Sequence, residues 1–183
     1  MINICYNCAL RLFNNKCHNL QGIGNPWTNR VIIVPNVDYD AYKNKDMSFS
    51  SQVEVIQSCI SSTGELNQTY ILPLIRCNEN VGCDVNLDII DRCLQYFAED
   101  LKKYQWKDIM LCGLAANRFL NCSITPYLNT IMISRNNRRY AVNYSPLIKY
   151  IDTNKYNDFV MYLEKWFNSS IMNNFYNYDT LHI

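Results

Sequence analysis

The chain predicts an α/β fold: a three-layer, doubly wound sheet of about four parallel strands with helices on both faces. Two observations predict it. The first is a set of continuous apolar runs at Arg30–Val34 (RVIIV), Thr69–Ile75 (TYILPLI), Lys107–Cys112 (KDIMLC) and Arg139–Tyr144 (RYAVNY). Such runs do not alternate with polar residues, so they suit strands covered on both faces, as in parallel sheets. The second is that helical patterns lie between the runs. Strand and helix in alternation close most simply into a parallel sheet with right-handed crossovers.

Each element has its own reason. The first run stops at Pro35. Ser50–Ser61 then carries Val53, Ile56 and Ile60 at helical spacing. The second run has Pro73 inside it. Asn86–Tyr104 places Ile89, Ile90, Cys93, Leu94, Phe97 and Leu101 on one stripe, the mark of an amphipathic helix. The third run ends at Gly113, and Leu114–Leu120 follows directly as a short helix. After the fourth run, Tyr156–Phe167 sets Phe159, Val160, Leu163, Trp166 and Phe167 on one side. Ligands of open α/β sheets sit beyond the carboxyl ends of the strands. That places Pro35–Asp40, Pro73–Cys77, Gly113–Ala116 and Tyr144–Lys149 around one crevice.

Composition narrows the function classes. A chain of 183 residues suits one domain spanning 1–183. With 49% hydrophobic and 18% charged residues it is globular rather than disordered. The net charge of +1 supplies no global basic field, so any phosphate binding must come from local patches. No stretch approaches the ~20 apolar residues of a membrane span, and MINICYNCALRLFNN contains no long apolar run. We therefore expect no membrane association, no secretory signal and an intracellular protein. Nine cysteines, an odd number, argue against a disulfide framework. Cys59, Cys112 and Cys122 sit in apolar runs and read as packed thiols. Cys5 and Cys8 differ, because Cys-x-x-Cys lets two thiolates converge on one metal centre.

Six segments in order then form a pattern. They are Cys5-Tyr-Asn-Cys8-Ala-Leu10, Gly22-Ile-Gly24-Asn25, Arg76-Cys77, Cys93 sixteen residues further on, Leu111-Cys-Gly113-Leu-Ala-Ala116, and Asn143-Tyr144-Ser145-Pro146. Together they resemble the iron–sulfur uracil-DNA glycosylases, often called family 4, over roughly residues 5–165. The resemblance implies the uracil-DNA glycosylase fold. It also implies one 4Fe–4S cluster held by Cys5, Cys8, Cys77 and Cys93, with Cys17 and Cys83 as spare candidates. Such a cluster would be structural, since base excision is not a redox reaction, and would tie down the N-terminal segment. Four thiolates would also suit zinc.

The resemblance further implies a base pocket, and here the chain departs from the family. Phe49 lies thirteen residues after Asn36, the family's spacing between its catalytic carboxylate and its base-stacking Phe. The plainer reading of Phe49 is a core aromatic at a helix start. The carboxylate position holds Asn36, which can neither take a proton nor supply charge. The position of the Asn that reads the uracil edge holds Pro73, which has no side-chain donor and no N–H. The position of the His that would steady the departing uracil anion holds Ser145, a hydroxyl without a cation. Asn143 precedes the same loop and would border the pocket. Asp38 could replace the lost carboxylate from two residues along, or could be a solvated turn residue.

Arg135, Arg138, Arg139 and Lys149 are candidate phosphate contacts, or else a solvated hairpin. Tyr144 and Tyr150 could stack or wedge at a duplex. The only histidines, His18 and His182, lie outside all the motifs. The sequence thus points to a DNA-associated module that has lost uracil excision and serves with a replication or repair protein. The alternative is an active glycosylase with altered catalytic residues or altered base specificity.

Overall fold

The computed structural model describes Cys8 and residues 19–60, 65–78, 87–121, 123–133, 137–168 and 175–177. In chain order these form β1 (Arg30–Val37), α1 (Tyr39–Asn44), α2 (Ser51–Ile60), β2 (Thr69–Asn78), α3 (Leu87–Tyr104), β3 (Asp108–Cys112), α4 (Leu114–Leu120), β4 (Ile131–Ile133), β5 (Arg139–Asn143), α5 (Thr153–Phe167) and β6 (Phe175–Asn177). Two 3₁₀ turns, Met47–Phe49 and Pro146–Tyr150, precede α2 and α5.

All four expected strands are present, and β2, β1, β3 and β5 run parallel in that order. The sheet is wider than expected. Among the described residues it has six strands in the order β2-β1-β3-β5-β4-β6, with β4 antiparallel to β5 and β6 parallel to β4. Arg139–Asn143 is therefore not the last strand. The two additional strands are three residues each, too short for periodicity to reveal.

Both faces of the sheet are covered, and the strands divide their side chains between them. Val31, Ile33, Leu72, Ile109, Leu111 and Val142 pack in one layer with Ile89, Phe97 and Leu101 of α3 and Ala115 and Ala116 of α4. Ile32, Val34, Ile71, Met110 and Ala141 pack in the other with α2 and with Phe159, Leu163 and Trp166 of α5. Alternate residues enter opposite layers because successive side chains of a strand point to opposite faces. No helix among the described residues is long and apolar enough to cross a membrane.

The outer edge of β2 is closed by the segment that precedes β1. Ile23 and Ile71 exchange two backbone hydrogen bonds of 2.9 and 3.0 Å, and Leu20 N–H donates to the Arg76 carbonyl at 3.1 Å. Gly22 and Gly24 permit this approach. A Cβ on Gly22 would lie 2.2 Å from the Ile71 carbonyl oxygen, and Gly24 has φ +98°. The Tyr70 hydroxyl accepts from Gly22 N–H at 2.8 Å and pins the same turn. Pro73 is accommodated because it follows Ile71 by two residues and so turns its missing N–H to this outer side. Its pairing with Val34 of β1 is kept.

Burial has a consequence for alkaline stability. It raises the Cys112 thiol far above its ordinary value. Burial is also the leading cause of the raised hydroxyls of Tyr70 and Tyr140. In each case the folded chain keeps its proton to a higher pH than the unfolded chain. The stabilisation is complete below the unfolded pKa and is lost as pH rises above it. With ordinary values of about 8.5 for a thiol and about 10 for a phenol, stability should begin to fall from about pH 8.5 and fall faster above about pH 10. Each group contributes up to ~1.4 kcal/mol per pH unit. Urea midpoints measured across this range check the expectation, and a flat midpoint up to about pH 10 would contradict the burial of Cys112.

Candidate functional site at the carboxyl ends of the strands

The strands bring Asn36, Asp38, Gly113, Asn143 and Ser145 to one end of the sheet. β1 does not turn into an open loop at Pro35, as expected, but continues to Val37. Asp38 then caps α1, its carboxylate accepting from Ala41 N–H at 3.1 Å. Its second oxygen accepts from the Ser50 hydroxyl at 2.8 Å, Ser51 N–H at 2.8 Å and the Ser51 hydroxyl at 3.1 Å. One carboxylate therefore satisfies exposed N–H groups at the starts of both α1 and α2. This corrects the reading of Asp38 as a solvated turn residue. It also leaves that carboxylate committed to four donors, a poor starting point for a base or a water-positioning group. Asp38→Ala should cost about 2–4 kcal/mol, since it orphans two helix-terminal N–H groups and two hydroxyls. Asp38→Asn should cost less. Denaturant unfolding of the two variants distinguishes this role, because a solvated aspartate would be replaced at almost no cost.

Asn36 is half-buried and has a partner that the sequence reading missed. Gln52, fully buried in the first turn of α2, donates its amide to the Asn36 carbonyl at 2.8 Å and approaches the Asn36 Oδ1 at 3.4 Å. The Asn36 carbonyl can only accept, so the group facing it is the Gln52 NH₂. The Gln52 Oε1 is left buried without a hydrogen-bond partner. The one sequence signal was a polar residue between Phe49 and Val53, at the start of an apolar helix face.

Phe49 is not a core aromatic. It is 56% exposed in the turn before α2, and Tyr39, at the start of α1, is 55% exposed. The two flank the Asp38–Ser50 link. Aromatic faces so placed can stack on a base of any identity.

The remaining pocket positions are more enclosed. Pro73 is buried inside β2. Asn143 is fully buried, donating to the Phe159 carbonyl at 2.9 Å and contacting Met110 Sδ at 3.8 Å, while its Oδ1 accepts from Tyr144 N–H at 2.8 Å. It is a core amide joining β5 to α5 and offers no edge to a ligand. Ser145 is half-buried against Gly113, whose φ is +53°. A Cβ on Gly113 would sit 2.9 Å from the Ser145 Cβ, so glycine lets these two strand ends close together. Three clefts of about 300, 320 and 430 Å³ lie elsewhere, and none of them is lined by Asn36, Phe49, Pro73 or Ser145.

The expected phosphate contacts do not form one patch. Arg135 lies outside the described residues. Arg138 and Arg139 stand at the amino end of β5, while Lys149 follows its carboxyl end. A five-residue strand separates them by about 15 Å. Both arginines stand where β5 begins its antiparallel pairing with β4, as a hairpin would place them, but both are half-buried and partnered rather than solvated. Arg138 donates to the Leu101 carbonyl at 2.8 Å, and Arg139 pairs with Asp108. Tyr144 is half-buried and stacks on Tyr162 at 6.4 Å, whereas Tyr150 is exposed with the Lys149 ammonium 5.8 Å from its ring centre.

Three of the four candidate metal ligands are described. Cys8 and Cys77 are buried members of the α3-side core layer, and Cys93 of α3 packs against that layer. The register of β1 and β2 shifts here: Asn36 pairs with Ile75 but Val37 with Asn78, so β2 carries extra residues at Arg76 and Cys77. Bulges of this kind re-aim side chains. Arg76 is buried beside them, paired with Asp100 and 5.7 Å from the Tyr96 ring centre. Cys5, Cys17, Cys83, Cys122, His18 and His182 lie outside the described residues. Among the described residues, no group of three or more His, Cys, Asp or Glu is placed to hold a metal ion. Thiols are the donors a thiophilic centre would take, and the expected four-cysteine set includes Cys5, outside the described residues. Cys112 is a packed thiol as expected, while Cys59 is half-buried with its Sγ 3.6 Å from the Tyr156 hydroxyl. Comparison with protein-family models and with curated proteins finds no match to this chain.

Proposed function

We propose that this protein is a DNA-associated relative of the iron–sulfur uracil-DNA glycosylases that binds nucleic acid at the carboxyl ends of its strands without excising uracil. The observation that carries the reading is the state of Asp38. It is the carboxylate closest in sequence to the family's catalytic position, and all four of its hydrogen bonds go to the starts of α1 and α2. Asn36, Pro73 and Ser145, at the other matched positions, supply no general base, edge reader or cation there. The exposed faces of Phe49 and Tyr39 support retained contact with a base. The reading includes a 4Fe–4S cluster on Cys5, Cys8, Cys77 and Cys93. Cys8 and Cys77 lie in one core layer with Cys93 packed against it, but the three form no ligand group among the described residues, so the assignment rests on the sequence resemblance. In this reading the partner is DNA, together with a protein of a replication or repair assembly.

The test pairs a binding assay with a uracil-release assay on the same DNA. We expect binding that Phe49→Ala weakens, and no release. Release by the wild-type protein, or binding indifferent to Phe49, would overturn the proposal.

A further inference from the structure

A second surface lies at the amino ends of the strands, at the opposite end of the sheet from Asn36 and Ser145. Lys102 and Lys103 in the last turn of α3 and Lys107 before β3 are all exposed. Arg138 reaches the same place through the Leu101 carbonyl, and Arg139 N–H donates to the Lys107 carbonyl at 2.7 Å. Arg30, which opens β1, completes the group. Arg30 and Arg139 share the carboxylate of Asp108, and Arg30 packs over the Trp166 and Phe167 rings of α5. Glu99 and Asp100 lie one turn back on α3, and Asp100 is paired with Arg76. In a chain of net charge +1, this is a local concentration of one sign.

Lys102 and Lys103 also complement the C-terminal carbonyls of α3. That accounts for two of the cations but not for the tryptophan beside them. Trp27 is 67% exposed. It meets Tyr104 edge to face with ring centres 5.0 Å apart, and Tyr104 stacks on buried Trp106 at 5.2 Å. Trp106 in turn donates its indole N–H to the Pro26 carbonyl at 2.8 Å. The Lys103 ammonium sits 4.6 Å from the Tyr104 ring centre. The exposed indole is thus held on a fixed aromatic support, beside the Lys103 ammonium that lies over the same Tyr104 ring.

We propose that this amino-end surface binds single-stranded nucleic acid, with Lys102, Lys103 and Lys107 taking phosphates and Trp27 stacking on a base. Cations beside an exposed, supported aromatic are the combination that single strands use: charge for the backbone and a π-face for the bases. An acidic polypeptide asks for the charge but not for the stacking face. The surface is separate from the carboxyl-end site, and the inference does not depend on what that site does.

The test uses the full chain with a fluorescent oligothymidylate, followed by anisotropy across a salt series and by intrinsic tryptophan fluorescence. Trp106 and Trp166 are buried, so quenching reports Trp27. Lys102→Glu combined with Lys107→Glu should weaken binding by about 10-fold or more and lower the salt slope by about 1.4, about 0.7 per cation. Glutamine at both positions should lower the slope equally, and serves if the glutamate pair does not fold. Trp27→Ala should remove the quenching, while Phe49→Ala, which acts at the carboxyl-end site, should leave the Trp27 quenching in place. Absence of binding at low salt, or binding lost in the Phe49 variant but kept in the amino-end ones, overturns the inference. So does displacement by polyglutamate without any Trp27 quenching, which would assign the surface to an acidic protein.

Discussion

Uracil-containing DNA, single- or double-stranded, should pass through incubation with this protein without base release above background. A positioned acid, base or carboxylate is typically worth ~10²–10⁴-fold. An electrostatic donor at a developing anion is worth a further ~10²–10³-fold. Asn36 and Ser145 remove both kinds of group at the matched positions, and Pro73 removes the residue that would hold the uracil edge. These losses do not add simply, but each alone should be severe. The structure closes the simplest escape, because the Asp38 carboxylate is already bonded to four donors. Robust release that disappears in Asp38→Asn, with the fold retained, would show that this carboxylate works as well as caps. The complementary test restores the family residues with Asn36→Glu, Pro73→Asn and Ser145→His. The Gln52 amide that now donates to Asn36 could equally donate to a glutamate, and asparagine at 73 returns an N–H on the outer side of β2. Some release should then appear if a base can enter. If none does while fold and DNA binding persist, the crevice no longer admits a base.

Loss of the cluster should be the largest structural effect. Cys5→Ala, Cys8→Ala, Cys77→Ala and Cys93→Ala are each expected to yield iron-free, poorly soluble protein, whereas Cys122→Ala and Cys59→Ala should retain iron. The wild-type protein, purified anaerobically, should be brown. Structural metal sites contribute about 10–16 kcal/mol in zinc-finger peptides. That is as large as the whole net stability of a typical domain, about 5–15 kcal/mol. A centre on the proposed ligands would join the N-terminal segment to β2 and α3, and its loss would free that segment. Iron and absorbance measurements decide the matter, and a folded, zinc-loaded, iron-free protein would replace the iron–sulfur assignment with a zinc site.

Much of the architecture was legible before any coordinates. The runs RVIIV, TYILPLI, KDIMLC and RYAVNY became β1, β2, β3 and β5, because a strand covered on both faces must be apolar on both. The stripe from Ile89 to Leu101 became α3 for the same reason at helical period. Local patterns that repeat over several residues carry such information by themselves. The strands at Ile131–Ile133 and Phe175–Asn177 carry too few residues to show a period, and their pairing depends on β5 being in place first.

The candidate site divides along the same line. Sequence alone determined that Asn36, Pro73 and Ser145 stand at the positions the resemblance matches, residue types that offer no carboxylate, no amide edge reader and no cation there. Only the tertiary structure decided what the remaining groups do. Asp38 is a cap rather than a solvated turn residue, because α1 and α2 both begin within reach of its two oxygens. Phe49 is exposed, because the turn that carries it precedes the apolar stripe of α2 instead of continuing it. Arg138 and Lys149 are eleven residues apart in sequence, yet β5 carries them to opposite ends of the sheet. Trp27, far in sequence from Tyr104 at the end of α3, meets it because β1 and β3 lie side by side and start at the same level. A side chain's type is written locally, but its neighbours are chosen by strand pairing and helix packing between distant segments.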